Sequence, residues 1–159
     1  MARSGPPPPA PQLEHPGIRM AAVVAGFHRE LGERLLQGSL LRLAEAGLPA
    51  GPLADFWVPG AFELPLAAKS LAMHRRYAAI IALGVVIRGE TAHFDHICNA
   101  AATGLSAVGL GTGVPCACGV LTCETHEQAE ARSGGDKGNA GSDAADAAVV
   151  MTNMLADGR

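Results

Sequence analysis

The chain has 159 residues, 48% of them hydrophobic and 17% charged, with a formal net charge of -3. That is enough for one domain with a real core and too little for two. No basic arm offers a footprint for nucleic acid, and the longest apolar run, residues 78–87, is about half of what a membrane span needs. Residues 1–16 carry Pro6 to Pro9 but no apolar stretch of the secretory kind. They predict a mobile, extended tail ahead of a single domain over 17–159. Four cysteines without such a signal predict reduced thiols in a cytoplasm.

After the tail, IRMAAVVAGF (Ile18 to Phe27) is a valine-rich apolar run that suits a buried strand. The leucines at 31, 35, 36, 40 and 43 then keep helical spacing, and Gly47 with Pro49 supplies a stop. LADFWV (Leu53 to Val58) predicts a second strand closed by Pro59 and Gly60. The next segment, from Phe62 to Arg76, predicts a helix with Pro65 in its first turn. Residues Tyr77 to Ile87 form a third apolar strand. From Thr91 the period changes: Phe94, Ile97, Cys98, Ala101, Leu105 and Val108 fall on one helical face, with Thr91 placed to cap it. Pro115 to Cys123 is a fourth strand, Glu127 to Arg132 a short helix, SGGDKGNAG a loop, and residues from Ser142 to Leu155 a last helix. Strands alternating with helices imply parallel βαβ units in one three-layer α/β/α domain with a four-stranded parallel sheet.

Ligands of such sheets sit beyond the carboxyl ends of the strands. Here those ends are Phe27 and His28, the run Pro59 to Glu63, the run Arg88 to His93, and the residues after Cys123. Two chemistries compete for VVIRGETAHFDHIC. His93 and His96 stand one helical turn apart and four cysteines offer sulfur, but Cys116 and Cys118 share one face of a strand and no C-x-x-C knuckle exists. The cysteines then read as small packing residues. Alternatively, Gly89-Glu90-Thr91 lies between a buried strand and a helix N-terminus, where free N–H groups and the helix dipole favour phosphate. A capped helix start with no ligand would look the same. His93 would stand beside such an anion as a proton carrier near neutral pH.

PGAFELP, ALGVVIRGETAHFDHIC, GVLTCETHEQAEAR and DKG, in that order and at that spacing, closely resemble the lumazine synthase family over nearly all of Ile18 to Leu155. The resemblance implies a four-stranded parallel sheet flanked by helices and a transferase of riboflavin biosynthesis that needs no cofactor and no metal. Its substrates would be 5-amino-6-(D-ribitylamino)uracil and 3,4-dihydroxy-2-butanone 4-phosphate. It further implies that Phe27 stacks on the pyrimidine, that Ala61, Phe62 and Glu63 hold the ribityl chain, and that Val85, Val86 and Ile87 line the heterocycle. Gly89, Glu90 and Thr91 would cradle the phosphate and His93 would move protons. Arg132 and Lys137 would come from a neighbouring subunit, because the family forms homopentamers, some of which stack twelvefold into icosahedral shells.

Three positions depart from the family pattern. The stretch between Arg132 and Lys137 is short, Cys118 stands where a phenylalanine or asparagine often faces the ring, and His28 replaces an asparagine. The rival expectation is a noncatalytic lumazine- or flavin-binding shell protein of the same fold. Packing alone would not call for Phe27, Glu63, His93 and Arg132 together.

Overall fold

The computed structural model describes residues 8–15, 17–48 and 53–157. Pro49, Pro16 and residues 1–7, on which parts of the tail and of the first helix stop were expected, lie outside the described residues. In chain order the elements are β1 (Met20–Ala25), α1 (Arg29–Glu45), β2 (Leu53–Val58), a 3-10 turn (Ala61–Glu63), α2 (Leu64–Met73), β3 (Ala79–Ile87), α3 (His93–Thr112), β4 (Cys116–Cys123), α4 (His126–Arg132), β5 (Ser133–Gly135), β6 (Gly138–Asn139) and α5 (Ala140–Asp157).

The main sheet is parallel throughout, in the order β2-β1-β3-β4. β1 and the first part of β3 are buried on both faces, which is why they read as unbroken apolar runs rather than alternating ones. β4, at the edge, alternates half-buried Cys116 and Val120 and exposed Cys118 and Thr122 with buried Ala117, Gly119, Leu121 and Cys123. On one face Met20, Ala22, Val24, Ile81, Leu83 and Val85 meet Leu31, Leu35 and Leu43 of α1, Ala129 of α4, and Ala144, Ala145, Ala148 and Val149 of α5. On the other, Ala21, Val23, Ile80 and Ala82 meet Leu64, Ala68 and Ala72 of α2 and Ala101, Leu105 and Val108 of α3. These two apolar layers make the three-layer α/β/α arrangement that the helical and strand periodicities predict.

Helices α1 and α5 lie back to back, and the contact depends on glycine. A Cβ on Gly141 would collide with the carbonyl of Leu35 and one on Gly38 with the Asn139 side chain. Close approach lets the buried Ser39 hydroxyl donate to the Gly141 carbonyl at 2.8 Å. Beside it Arg42 grips Asp146 with two bonds, of 2.6 and 2.8 Å.

Two local expectations change. The SGGDKGNAG segment is not an open loop but a small antiparallel hairpin, β5 with β6, turning through Asp136 and Lys137. Gly134 and Gly138 adopt φ of +112° and +86°, values a side chain would resist. Residues 8–15 have no regular secondary structure, yet they are fastened to the domain. Leu13 N–H donates to the Ala46 carbonyl at 2.8 Å, Asn153 Nδ2 donates to the Gln12 carbonyl at 2.8 Å, and Arg42 Nη2 donates to the Pro8 carbonyl at 2.7 Å.

Candidate active site

The order β2-β1-β3 places the point where the chain reverses direction across the sheet between β1 and β3, and a crevice opens there at the carboxyl ends of the strands. A cleft of about 640 Å³ occupies it. It is lined by Phe27 and His28 after β1, by Pro59 to Glu63 after β2, by Val85 to Ile87 at the end of β3, and by Gly89, Thr91, His93, Phe94 and Ile97. A larger hollow of about 1490 Å³ lies at the opposite, amino end of the sheet and carries none of the candidate site residues.

Each strand delivers a different chemistry to the cleft. Phe27 is 82% exposed, so its ring face is open to a planar ligand, and His28 stands edge-on to it at 5.1 Å between centroids. Burial, and then the neighbouring charge of His126, push the His28 imidazole below its ordinary value. The turn after β2 is tied by Glu63, whose Oε2 accepts the Gly60 N–H at 3.0 Å, while the Glu63 N–H donates to the Gly60 carbonyl at 3.3 Å. That keeps the carboxylate turned toward the cleft with one oxygen left to accept. Pro65, in the first turn of α2, fixes where this turn becomes helix.

After β3 the chain crosses to α3 through Arg88 to Ala92. Thr91 is not the residue at the helix boundary, a position taken by Ala92, but Thr91 Oγ1 accepts the His93 N–H at 3.4 Å. Its hydroxyl proton can therefore point outward. Nothing lies within 4 Å of where a Cβ on Gly89 would be, so the backbone there faces open space. His93, Thr91 and Glu90 are exposed.

Arg88 holds this crossing in place, and its role is not visible in the sequence. Its guanidinium bonds Asp95 bidentately at 2.9 and 3.1 Å and Glu124 at 2.7 Å, and it lies 4.2 Å over the Phe94 ring. The hydrogen bond from Arg88 holds the Asp95 carboxyl below its usual range. Three segments at the carboxyl end of the sheet, the end of β3, the start of α3 and the loop after β4, are thereby pinned together. The partners lie seven and thirty-six residues away, with no periodic signal to announce them.

Of the site residues expected from the sequence, the structure brings Phe27, Ala61, Phe62, Glu63, Val85, Val86, Ile87, Gly89, Thr91 and His93 into this one cleft. Glu90, Cys118, Arg132 and Lys137 do not line it. Cys118 pairs with Ala82 in the sheet, five residues upstream of the strand end where Ile87 pairs with Cys123, and it is exposed on the outer edge. Arg132 ends α4 with Nη1 on the Gln128 carbonyl at 3.1 Å, and Lys137 sits in the hairpin turn with Nζ 3.7 Å from Asp136. His96 is exposed rather than packed, whereas Cys98 is half-buried. Among the described residues the histidine, cysteine and carboxylate side chains that converge closely enough to hold a metal are Glu14, His15 and Asp157, none of which lines the cleft.

Aromatic, carboxylate, glycine-bearing loop and imidazole side chains gather in one crevice at the carboxyl end of a parallel sheet, which defines an α/β protein with its candidate site at the sheet's switch point. Residues 17–156 match the family model for 6,7-dimethyl-8-ribityllumazine synthase. The chain belongs to that family. Two proteins named 6,7-dimethyl-8-ribityllumazine synthase, from Coxiella burnetii strains CbuG_Q212 and RSA 493 / Nine Mile phase I, are each 48% identical to it over 138 residues, 87% of this chain and 91% of the relative.

Proposed function

We propose that the chain condenses 5-amino-6-(D-ribitylamino)uracil with 3,4-dihydroxy-2-butanone 4-phosphate, releasing 6,7-dimethyl-8-ribityllumazine, phosphate and water, as a transferase of riboflavin biosynthesis. The observation that supports this is the shared cleft, which Phe27, Glu63, Gly89, Thr91 and His93 line together. Phe27 stacks on the pyrimidine, while Glu63 accepts from the ribityl hydroxyls beside Ala61 and Phe62. Val85, Val86 and Ile87 supply the apolar wall. The backbone of Gly89 and Glu90 and the Thr91 hydroxyl take the phosphate. His93 carries protons during imine formation, phosphate loss and ring closure, steps that each need one moved.

The departing phosphate also asks for a cation, and Arg132 and Lys137 stand outside the cleft of their own chain. A homopentamer supplies them, together with Cys118, from the neighbouring subunit, and twelve such rings could close into a shell. Exposed Leu66 and Leu110, at 75% and 87%, give such a ring apolar surface to bury. We place the protein in the cytoplasm; among the described residues no helix is long and apolar enough to cross a membrane. The domain occupies 17–159, with 1–16 as its N-terminal extension.

Mixing both substrates with the purified protein tests the proposal. Fluorescent lumazine should accumulate at the same rate with and without EDTA. Product binding without turnover would leave a lumazine-binding shell protein instead, and a rate abolished by chelation and restored by zinc would overturn the metal-free chemistry.

A further inference from the structure

Arg88 immediately precedes the loop proposed to take the phosphate, a place where a guanidinium would ordinarily be read as a phosphate ligand. Yet its chain neighbours Ile87 and Gly89 line the cleft and Arg88 does not. Its side chain is engaged elsewhere. Nη2 and Nη1 donate to the two carboxylate oxygens of Asp95 at 2.9 and 3.1 Å, and Nε donates to Glu124 at 2.7 Å. One positive charge thus faces two carboxylates, which leaves the cluster net negative and unsuited to hold an anion.

The same contacts reach the candidate chemistry indirectly. Asp95 lies in the first turn of α3, two residues after His93, and next to Phe94, which lines the cleft and carries the Arg88 guanidinium over its ring. The crossing from Gly89 to Ala92 has no regular secondary structure, and the bond from the His93 N–H to Thr91 Oγ1 is long, at 3.4 Å. Arg88 fixes both ends of that crossing. Its backbone N–H donates to the Cys123 carbonyl at 2.9 Å, beside the end of β4, and its side chain holds the start of α3 through Asp95. Exposed ion pairs commonly contribute little, but a fork on one carboxylate, a third bond to another and a ring beneath form a geometry that lysine cannot reproduce.

We propose that Arg88 is a positioning residue for the condensation: by holding Asp95 it sets where Gly89, Thr91 and His93 stand around the phosphate, without touching the phosphate itself. The proposal rests on the reaction assigned above and adds to it a residue that acts only through its neighbours.

Three variants of the full-length protein test it. Arg88→Lys keeps the charge but not the fork, Asp95→Asn leaves Arg88 in place and loosens its hold, and the third variant combines them. Each single change should lower kcat about ten- to a hundredfold, as misplacement of reacting groups does, with KM for the ribityl pyrimidine nearly constant. The double variant should be no slower than the slower single one, because both break the same contact. Amide hydrogen exchange from Gly89 to His93 should quicken in all three while α5 keeps its wild-type rates, and inorganic phosphate, titrated calorimetrically, should bind more weakly. A phosphate ligand predicts the opposite sign: Asp95→Asn would free the guanidinium, tighten inorganic phosphate and lower KM for the butanone phosphate. That result would overturn the proposal, as would fully additive losses in the double variant or unaltered exchange in the loop. A lowered melting temperature with wild-type kcat would make Arg88 a structural residue only and would equally refute it. Exchange and phosphate titration need no turnover, so they decide the role of Arg88 even where an inactive wild-type protein has sunk the proposed reaction.

Discussion

Glu63 Oε2 accepts the backbone N–H of Gly60 at 3.0 Å, so the carboxylate that faces the cleft also shapes the turn that presents it. Replacement by Ala therefore removes a ligand acceptor and a turn brace together, whereas Gln keeps an oxygen for Gly60. A hydrogen bond to a charged group contributes about 1.5–3 kcal/mol, so kcat/KM for the ribityl pyrimidine should fall roughly 10- to 150-fold in Glu63→Ala. Glu63→Gln should lose less. Steady-state kinetics with each substrate varied in turn checks this, and KM for the butanone phosphate should stay nearly constant.

At Gly89 the structure leaves the space beside the backbone empty. Gly89→Ala should fold normally, since no neighbour is struck and φ is not in the left-handed region. The methyl would instead project where the phosphate must approach. The expected outcome is a melting temperature within a few degrees of wild type and a KM for the phosphorylated substrate raised about tenfold, the size of one lost or lengthened charged hydrogen bond. An unchanged KM would take the loop out of phosphate binding.

The depressed imidazole of His28 gives a pH dependence whose sign is fixed. Its folded value lies below the ordinary 6.5, so as pH falls through that value the unfolded chain takes up the proton first. The stability it contributes is complete above 6.5, declines as the pH drops toward the folded value, and declines no further below it. Melting curves at about pH 7.5 and about pH 5.5 should differ less in His28→Asn than in wild type, because asparagine does not titrate in this range. Equal differences would mean that His28 ionises alike in both states.

Arg132 lies outside the cleft of its own chain, which makes its contribution testable by mixing. His93→Ala should be about ten- to a thousandfold slow, as for loss of a general acid–base, and Arg132→Ala nearly inactive for want of a guanidinium on the phosphate. Co-expressed and randomly assembled, about a quarter of the interfaces would unite an intact His93 with an intact Arg132. Activity should rise well above either parent, toward that fraction of wild type. Mixed rings seen by mass spectrometry without a gain in activity would place Arg132 in cis or outside the site.

What was legible in the sequence was the part set by local periodicity. LADFWV reads as a strand and is β2, residue for residue, and Leu31, Leu35 and Leu43 of α1 lie on the buried face their spacing predicts, whereas Leu40 is exposed. The cleft residues were legible because they lie at or beyond strand ends, where the topology of a parallel sheet must gather them. The hairpin at Ser133 to Asn139 was not, since glycines carry no β-pattern and only pairing with each other makes them strands. Arg88 was hidden for a related reason: its partners are chosen by the tertiary fold. So was the anchoring of residues 8–15, whose bonds run to Ala46 and Asn153, 33 and 141 positions on from Leu13 and Gln12 in the chain.

The packing of α1 against α5 has a consequence for how the protein comes to be made. The apolar stripe of α1, with Leu31, Leu35 and Leu43, leaves the ribosome early, but Ala144, Ala145, Ala148 and Val149 of α5, which help to cover it, are translated after every other element. The bonds from Ser39 to Gly141 and from Arg42 to Asp146 are equally out of reach until then. A nascent chain that has reached only Asn139 can form the β1–β3 pairing and bury the α2 and α3 side of the sheet, while its other side stays greasy and open. During synthesis that half-built face is where a holdase would bind and where truncated products would stick to one another.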